Sequence, residues 1–242
     1  MSSLALIPRP DPGPLTVASL LKDLTVVTWA VAPERLRPHV PPELELERCQ
    51  GQALISAVTF YNTSFSPHWS PLGLSLGQTN YRVYVRHEGR RAVFFIATTI
   101  DTAFVFIPRG LWKMPWRRAR YRFSQGSAEA AGDWSMALSY TLGGSLSMLA
   151  GYGDLDEGLT VLTQPHIGYY LGSNGRLGRY TIWHAPYQAE VAVVSRARFG
   201  LLDALDIVPF SSQRCVHSAV YTARSLYHVH LPPRWLMDTA RR

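Results

Sequence analysis

Along this chain, apolar positions alternate with polar ones more often than they recur at helical spacing, so the predicted elements are mostly strands. Residues 24–29 form a β-branched run that opens the organised part of the sequence. Pro33 suits the first turn of a short helix and Pro38 ends it, because proline fixes φ and carries no N–H. Residues 52–61 (Ala53, Leu54, Ile55, Ala57, Val58, Phe60) predict a buried strand, and a Ser-, Pro- and Gly-rich loop follows to Gln78. The strongest hairpin signal comes next: residues 79–87 alternate, Glu88-Gly89 supplies a turn, and 91–100 is the returning apolar strand.

Residues 109–123 interleave bulky aromatics with arginine, and 134–142 resume a half-buried alternation. A brief helix is predicted over 155–162. Residues 167–171 and 178–184 flank Asn174-Gly175, a pair that tolerates positive φ, and predict a second hairpin. In 190–202, Val191, Val194, Ala197 and Leu201 fall at helical spacing, so a helix is expected there. A last strand is expected over 218–229. With no repeat, linker or low-complexity tract, 1–242 reads as one domain whose first 18 residues, broken by Pro8, Pro10, Pro12 and Pro14, are irregular.

Composition narrows the class. Hydrophobic residues at 47% can fill a large core, and charged residues are only 17%, which excludes disorder. The net charge of +7 is carried by arginine, since Lys22 and Lys113 are the only lysines; it predicts affinity for anions without choosing among them. Two cysteines, Cys49 and Cys215, are too few for a disulfide scaffold or a zinc cluster and are read as packing residues of a cytoplasmic protein. No secretory signal is evident, and the longest uncharged stretch, 134–153, is too polar for a bilayer, so no membrane partner is expected.

The strand 79–87 places Asn80, Arg82, Tyr84 and Arg86 on one face and Tyr81, Val83 and Val85 on the other. The polar face reads either as a ligand site, with Arg82 clamping an anion and Asn80 and Tyr84 adding directional bonds, or as a structural or solvated network. Lys113, between Trp112 and Met114 with Arg109 nearby, is a candidate reactive amine; otherwise its stem lies along tryptophan. His184 is a candidate general acid or base, against a ring satisfied by a backbone carbonyl. His228 and His230 share a strand face, but without a third ligand no metal is expected. Arg118, Arg120 and Arg122 lie opposite Tyr121 and Phe123, which makes the rings core and disfavours a nucleic-acid surface.

The order of several motifs carries a resemblance: Trp29-Ala30-Val31-Ala32-Pro33-Glu34-Arg35-Leu36, then Asn80-Tyr81-Arg82-Val83-Tyr84-Val85, Val93-Phe94-Phe95, Met114-Pro115-Trp116-Arg117, and His184-Ala185-Pro186-Tyr187. Together they resemble the domain-of-unknown-function family 2071 (DUF2071, YqjF-like), which is similar to acetoacetate decarboxylase. The resemblance implies an α+β, predominantly antiparallel fold, a cone-like β-barrel with a pocket and a few short helices, assembled as a homo-oligomer. That enzyme's Schiff-base lysine pair falls at Trp116 and Arg117 here and its glutamate near Asn80, so inherited decarboxylation is disfavoured. The expectation is a small anionic or carbonyl-bearing ligand, no cofactor, and a site drawn from Asn80, Arg82, Tyr84, Arg109 and Trp116, with Lys113 and His184 as reactive candidates. The other class is a non-catalytic binding or interaction protein.

Overall fold

The computed structural model describes residues 8–143 and 155–236. In chain order the elements are β1 (Val17–Val31), α1 (Pro33–Leu36), β2 (Glu45–Leu46), β3 (Arg48–Cys49), β4 (Gln52–Pro67), β5 (Leu74–His87), β6 (Arg90–Ile100), α2 (Phe106–Leu111), β7 (Trp116–Ser124), β8 (Ser127–Gly132) and β9 (Met136–Leu142). Then come α3 (Leu155–Thr163), β10 (Ile167–Leu171), β11 (Leu177–His184), β12 (Glu190–Phe199), α4 (Gly200–Ala204) and β13 (Ser218–Trp235). The described chain is strand-rich with a few short helices.

Both hairpins form where their turns require. Glu88 and Gly89 hold φ of 51° and 72°, and Gly175 holds 74°, the left-handed conformations that let two twisted strands reverse tightly. Residues 62–78 differ from expectation: β4 runs on through Pro67 and β5 starts at Leu74, leaving only a short connection. The expected helix over 190–202 is instead β12 followed by the short α4. β-branched Val191, Val193 and Val194 favour extended backbone, and ladders to β9 and β13 supply the hydrogen bonds a helix would have made internally. Cys49 is buried, whereas Cys215 is exposed and does not pack.

All thirteen described strands join one sheet, and it is mixed: β6 pairs in parallel with β10 and with β7, while its pairing to β5 is antiparallel. The ladders close on themselves twice. One path runs β11, β10, β6, β5, β4, β1, β13 and returns to β11; the other runs β6, β7, β8, β9, β12, β13, β1, β4, β5 and returns to β6. Strands β13, β1, β4, β5 and β6 belong to both paths.

These shared strands have two buried faces. Val27 and Trp29 of β1, Ile55 and Ala57 of β4, and Tyr81, Val83 and Val85 of β5 enter the main core with Phe199 and Leu202. The alternate residues, Leu54, Tyr84, Val93 and Phe95, pack on the opposite side with Leu162, Tyr170 and Ile182. Where the register slips beside Asp23 of β1 and at Ile96 of β6, the extra residue opposite the Tyr81–Arg82 step of β5, alternation changes phase on β1 and β6, so that Val17, Ser19 and Leu21 face the same interior as Thr98 and Ile100.

Candidate functional site

Inside the smaller closed path lies a cavity of about 310 Å³. Its wall is mainly apolar, with Leu21, Phe60, Phe95, Trp116, Tyr227 and Val229 among the lining side chains, and among the described residues none that lines it is charged. Burying an ion against such a wall is costly.

One side of the wall is a hydrogen-bonded row of neutral groups drawn from four strands. Ser19 Oγ donates to Asn62 Oδ1 at 2.8 Å, Asn62 Nδ2 donates to Gln78 Oε1 at 3.3 Å, and Gln78 Nε2 donates to Asn80 Oδ1 at 2.8 Å. Thr98 Oγ1 also donates to Asn80 Oδ1, at 2.9 Å. The polarity of the row is set at Asn62, whose Nδ2 donates to the Leu76 carbonyl at 3.4 Å; reversing every amide would turn an oxygen onto that carbonyl. Asn80 therefore has its oxygen committed twice, and among the described residues its Nδ2 has no partner. It is a donor left for whatever occupies the cavity.

Next to the cavity is a deeper polar cluster. Arg82 is 3% exposed, and its Nη2 donates to the Leu162 carbonyl in the last turn of α3 and to Tyr84 Oη at 3.3 Å, while its guanidinium lies over the Tyr84 ring. Tyr84 Oη continues the network to Ser56 at 2.8 Å, and Ser56 to Thr28 at 2.7 Å. No carboxylate pairs with Arg82 among the described residues, and its buried Nε has no acceptor. The carbonyl end of α3 offsets part of the charge, because helix C-termini are partly negative.

His184, 4% exposed, stacks on Tyr187 and on Tyr227, the latter a cavity residue, with ring centroids 4.5 and 5.3 Å apart. Its Nδ1 lies 2.9 Å from the Ala185 carbonyl, which can only accept, so Nδ1 carries the proton and the buried Nε2 is a lone pair without a donor among the described residues. His166 repeats the pattern, with Nδ1 on the Ile182 carbonyl at 3.3 Å and Nε2 unpaired, and stacks on His184 at 5.6 Å. Burial, with lesser contributions from His166 and Arg82, lowers the His184 pKa to about 4. Burial pushes Tyr227 up to about 12 against the pull of Arg82, so the ring remains a phenol.

The sequence-predicted residues divide accordingly. Asn80 and Trp116 both line the cavity. Arg82, Tyr84 and His184 form the cluster beside it. Lys113 and Arg109 are outside the lining, although Pro108, Trp112 and Met114 belong to it; Lys113 has a φ of 56° and its carbonyl accepts from Ser173 N at 3.0 Å. Arg118, Arg120 and Arg122 are exposed on β7 while Tyr121 bonds Thr99 at 2.6 Å. His228 is fully buried, its ring nitrogens have no partner among the described residues, and no metal-holding group of His, Cys, Asp and Glu occurs among them. Ser19, Asn62, Gln78 and Thr98 were missed; the only signal for them was uncharged polar residues in otherwise apolar runs.

Comparison with known proteins gives a consistent picture. Residues 19–223 match the family DUF2071, described as an uncharacterized conserved protein. YqjF of Bacillus subtilis (strain 168), an uncharacterized protein, is 30% identical over 82 residues, which are 33% of this chain and 34% of YqjF, so the match spans about a third of that relative. Among solved structures, the enduracididine biosynthesis enzyme MppR complexed with pyruvate aligns over 97% of this chain and 93% of its own, with a TM-score of 0.62 at 13% identity. Acetoacetate decarboxylase from Legionella pneumophila aligns over 99% and 94%, with a TM-score of 0.61 at 12% identity. An acetoacetate decarboxylase-like enzyme from Sphingomonas wittichii RW1 aligns over 97% and 98%, with a TM-score of 0.58 at 14% identity. Likeness at these identities is a likeness of fold.

Proposed function

The chain belongs to the DUF2071 family, and we propose that it binds a small carbonyl-bearing molecule with an apolar body in the cavity, noncovalently, with its oxygen on Asn80 Nδ2. We read the smaller closed path as the cone-like barrel around that ligand. The observation that carries the reading is the amide row: four neutral groups hold Asn80 so that its one uncommitted atom is a donor in the cavity wall. Of the two ligand classes the sequence suggests, the uncharged lining favours a neutral carbonyl over a free carboxylate. Arg82, whose charge is felt at the cavity residue Tyr227, adds a positive potential that suits the negative end of a carbonyl dipole. The pyruvate held by MppR belongs to that protein and lends this reading only a shared fold.

A catalytic role is the second reading, and the lone pair on His184 Nε2 favours it, because an unprotonated imidazole acceptor beside a cavity tyrosine is the kind of group a general base requires. Ligand-induced thermal shifts with a panel of ketones, aldehydes, esters and keto acids test the binding reading, with Asn80→Leu as the variant. Neutral carbonyl compounds should raise the melting temperature of the wild type, and the shift should disappear in Asn80→Leu. Shifts that survive in the variant would move the ligand's anchor away from Asn80, and shifts from free carboxylates alone would overturn the choice of ligand class.

A further inference from the structure

We propose that the apolar collar around the cavity mouth docks reversibly on an anionic lipid surface. Three segments meet at the mouth, since Leu15, Phe65, Leu74, Phe104 and Ile107 all line the cavity. The same segments carry the four most exposed large hydrophobic side chains among the described residues, Trp69 at 67%, Leu72 at 83%, Phe106 at 63% and Leu111 at 69%, whereas Leu142, Leu171, Val193 and Leu226 are less exposed and lie elsewhere. Trp69 is tied to the N-terminal segment by Nε1 donating to the Pro14 carbonyl at 2.9 Å, which holds two of the segments together. Exposed apolar residues gathered on one rim mark a contact surface, whereas scattered ones do not.

Charge decides what the surface fits. Residues 62–74 and 102–117 contain no aspartate or glutamate, and Arg109 and Lys113 add positive charge beside the apolar side chains, while in the N-terminal segment Asp11 is balanced by Arg9. Aromatic and leucine side chains flanked by cations are the chemistry of an interfacial lipid contact, in which the rings enter the headgroup boundary and the cations meet lipid phosphates. A second copy of the chain suits the collar less well. A two-fold contact would bring the same unbalanced cations face to face. A stable partner over Leu15, Leu74, Phe104 and Ile107 would also close the mouth that the ligand must use. A reversible lipid contact leaves the mouth free and opens it onto the phase in which apolar ligands dissolve. The sequence excludes a spanning segment, but a peripheral contact made by three separate segments leaves no apolar run to detect, and among the described residues no helix is long and apolar enough to span. The inference stands whichever molecule occupies the cavity.

The test is co-sedimentation of the ligand-free protein with vesicles of phosphatidylcholine and phosphatidylglycerol, and with phosphatidylcholine alone. Binding is expected to the mixed vesicles and to be weaker on phosphatidylcholine. The double variant Phe106→Ser/Leu111→Ser and the single variant Leu72→Ser should each weaken it, the double by about tenfold or more, with melting temperatures near the wild-type value because these side chains are exposed. Absence of binding to both vesicle types overturns the proposal. So does binding that persists in the apolar variants and vanishes only with salt, which would assign it to the basic strands elsewhere. A stable wild-type dimer that the same substitutions dissociate would make a second copy the occupant instead.

Discussion

His184 should make this protein sensitive to mild acid, by an amount that can be worked out. Its folded-state pKa is lowered from 6.5 to about 4, first by burial and then by His166 and Arg82. The folded chain therefore refuses a proton that the unfolded chain accepts, so the stabilisation is complete above the unfolded pKa and is lost as pH falls through the window from 6.5 to about 4. Between pH 7 and pH 5 the linkage amounts to roughly 2 kcal/mol, and to about 3 kcal/mol once both states are protonated. Urea denaturation of the wild type and of His184→Leu at those two pH values isolates it. Leucine loses the bond to the Ala185 carbonyl at either pH, which shifts both measurements equally and leaves the slope to report the ring's titration. His228, also lowered to about 4 by burial, titrates in both proteins and cancels. The variant should lose about 2 kcal/mol less than the wild type on going to pH 5. Equal losses in the two proteins would mean that His184 is hydrated or paired, and would remove the case for a buried lone pair.

Two further outcomes probe the frame around the site. Gly77→Ala would place a Cβ 2.4 Å from Tyr121 Cβ and Cγ on a ring whose hydroxyl is already bonded to Thr99, so we expect a loss of about 2 kcal/mol or more in chemical denaturation, and an unchanged midpoint would refute the tight β5–β7 approach. Glu47, 6% exposed, receives Arg86 in two bonds and Arg91 Nε at 3.2 Å; Glu47→Gln should cost about 2 kcal/mol after allowance for the partly exposed arginines, and a neutral result in the same assay would show the cluster to be solvent-screened.

Local signals were legible where a local cause produced them. The hairpin between β5 and β6 was readable because Glu88-Gly89 sits between two apolar runs, and the division of Asn80, Arg82 and Tyr84 from Tyr81, Val83 and Val85 followed from the pleat alone. The segment 190–202 was misread because Val191, Val194 and Ala197 of β12 and Leu201 of α4 fall at a spacing that imitates a helix. Of the cavity, only Asn80 and Trp116 were readable. Its polar wall takes one side chain from each of β1, β4 and β6 and two from β5, and a row that crosses strands has no period along any of them. The parallel pairings of β6 join residues as distant as Phe94 and Tyr169, and nothing near either position announces the other.

The five strands that belong to both closed paths separate two kinds of demand on the sequence. Along β5, Tyr81, Val83 and Val85 answer only to the volume of the main core, while Asn80, Arg82 and Tyr84 answer only to the chemistry of the cavity and its cluster. A chain built this way can exchange one ligand for another by changing every second residue of a strand, without touching the residues that keep it folded.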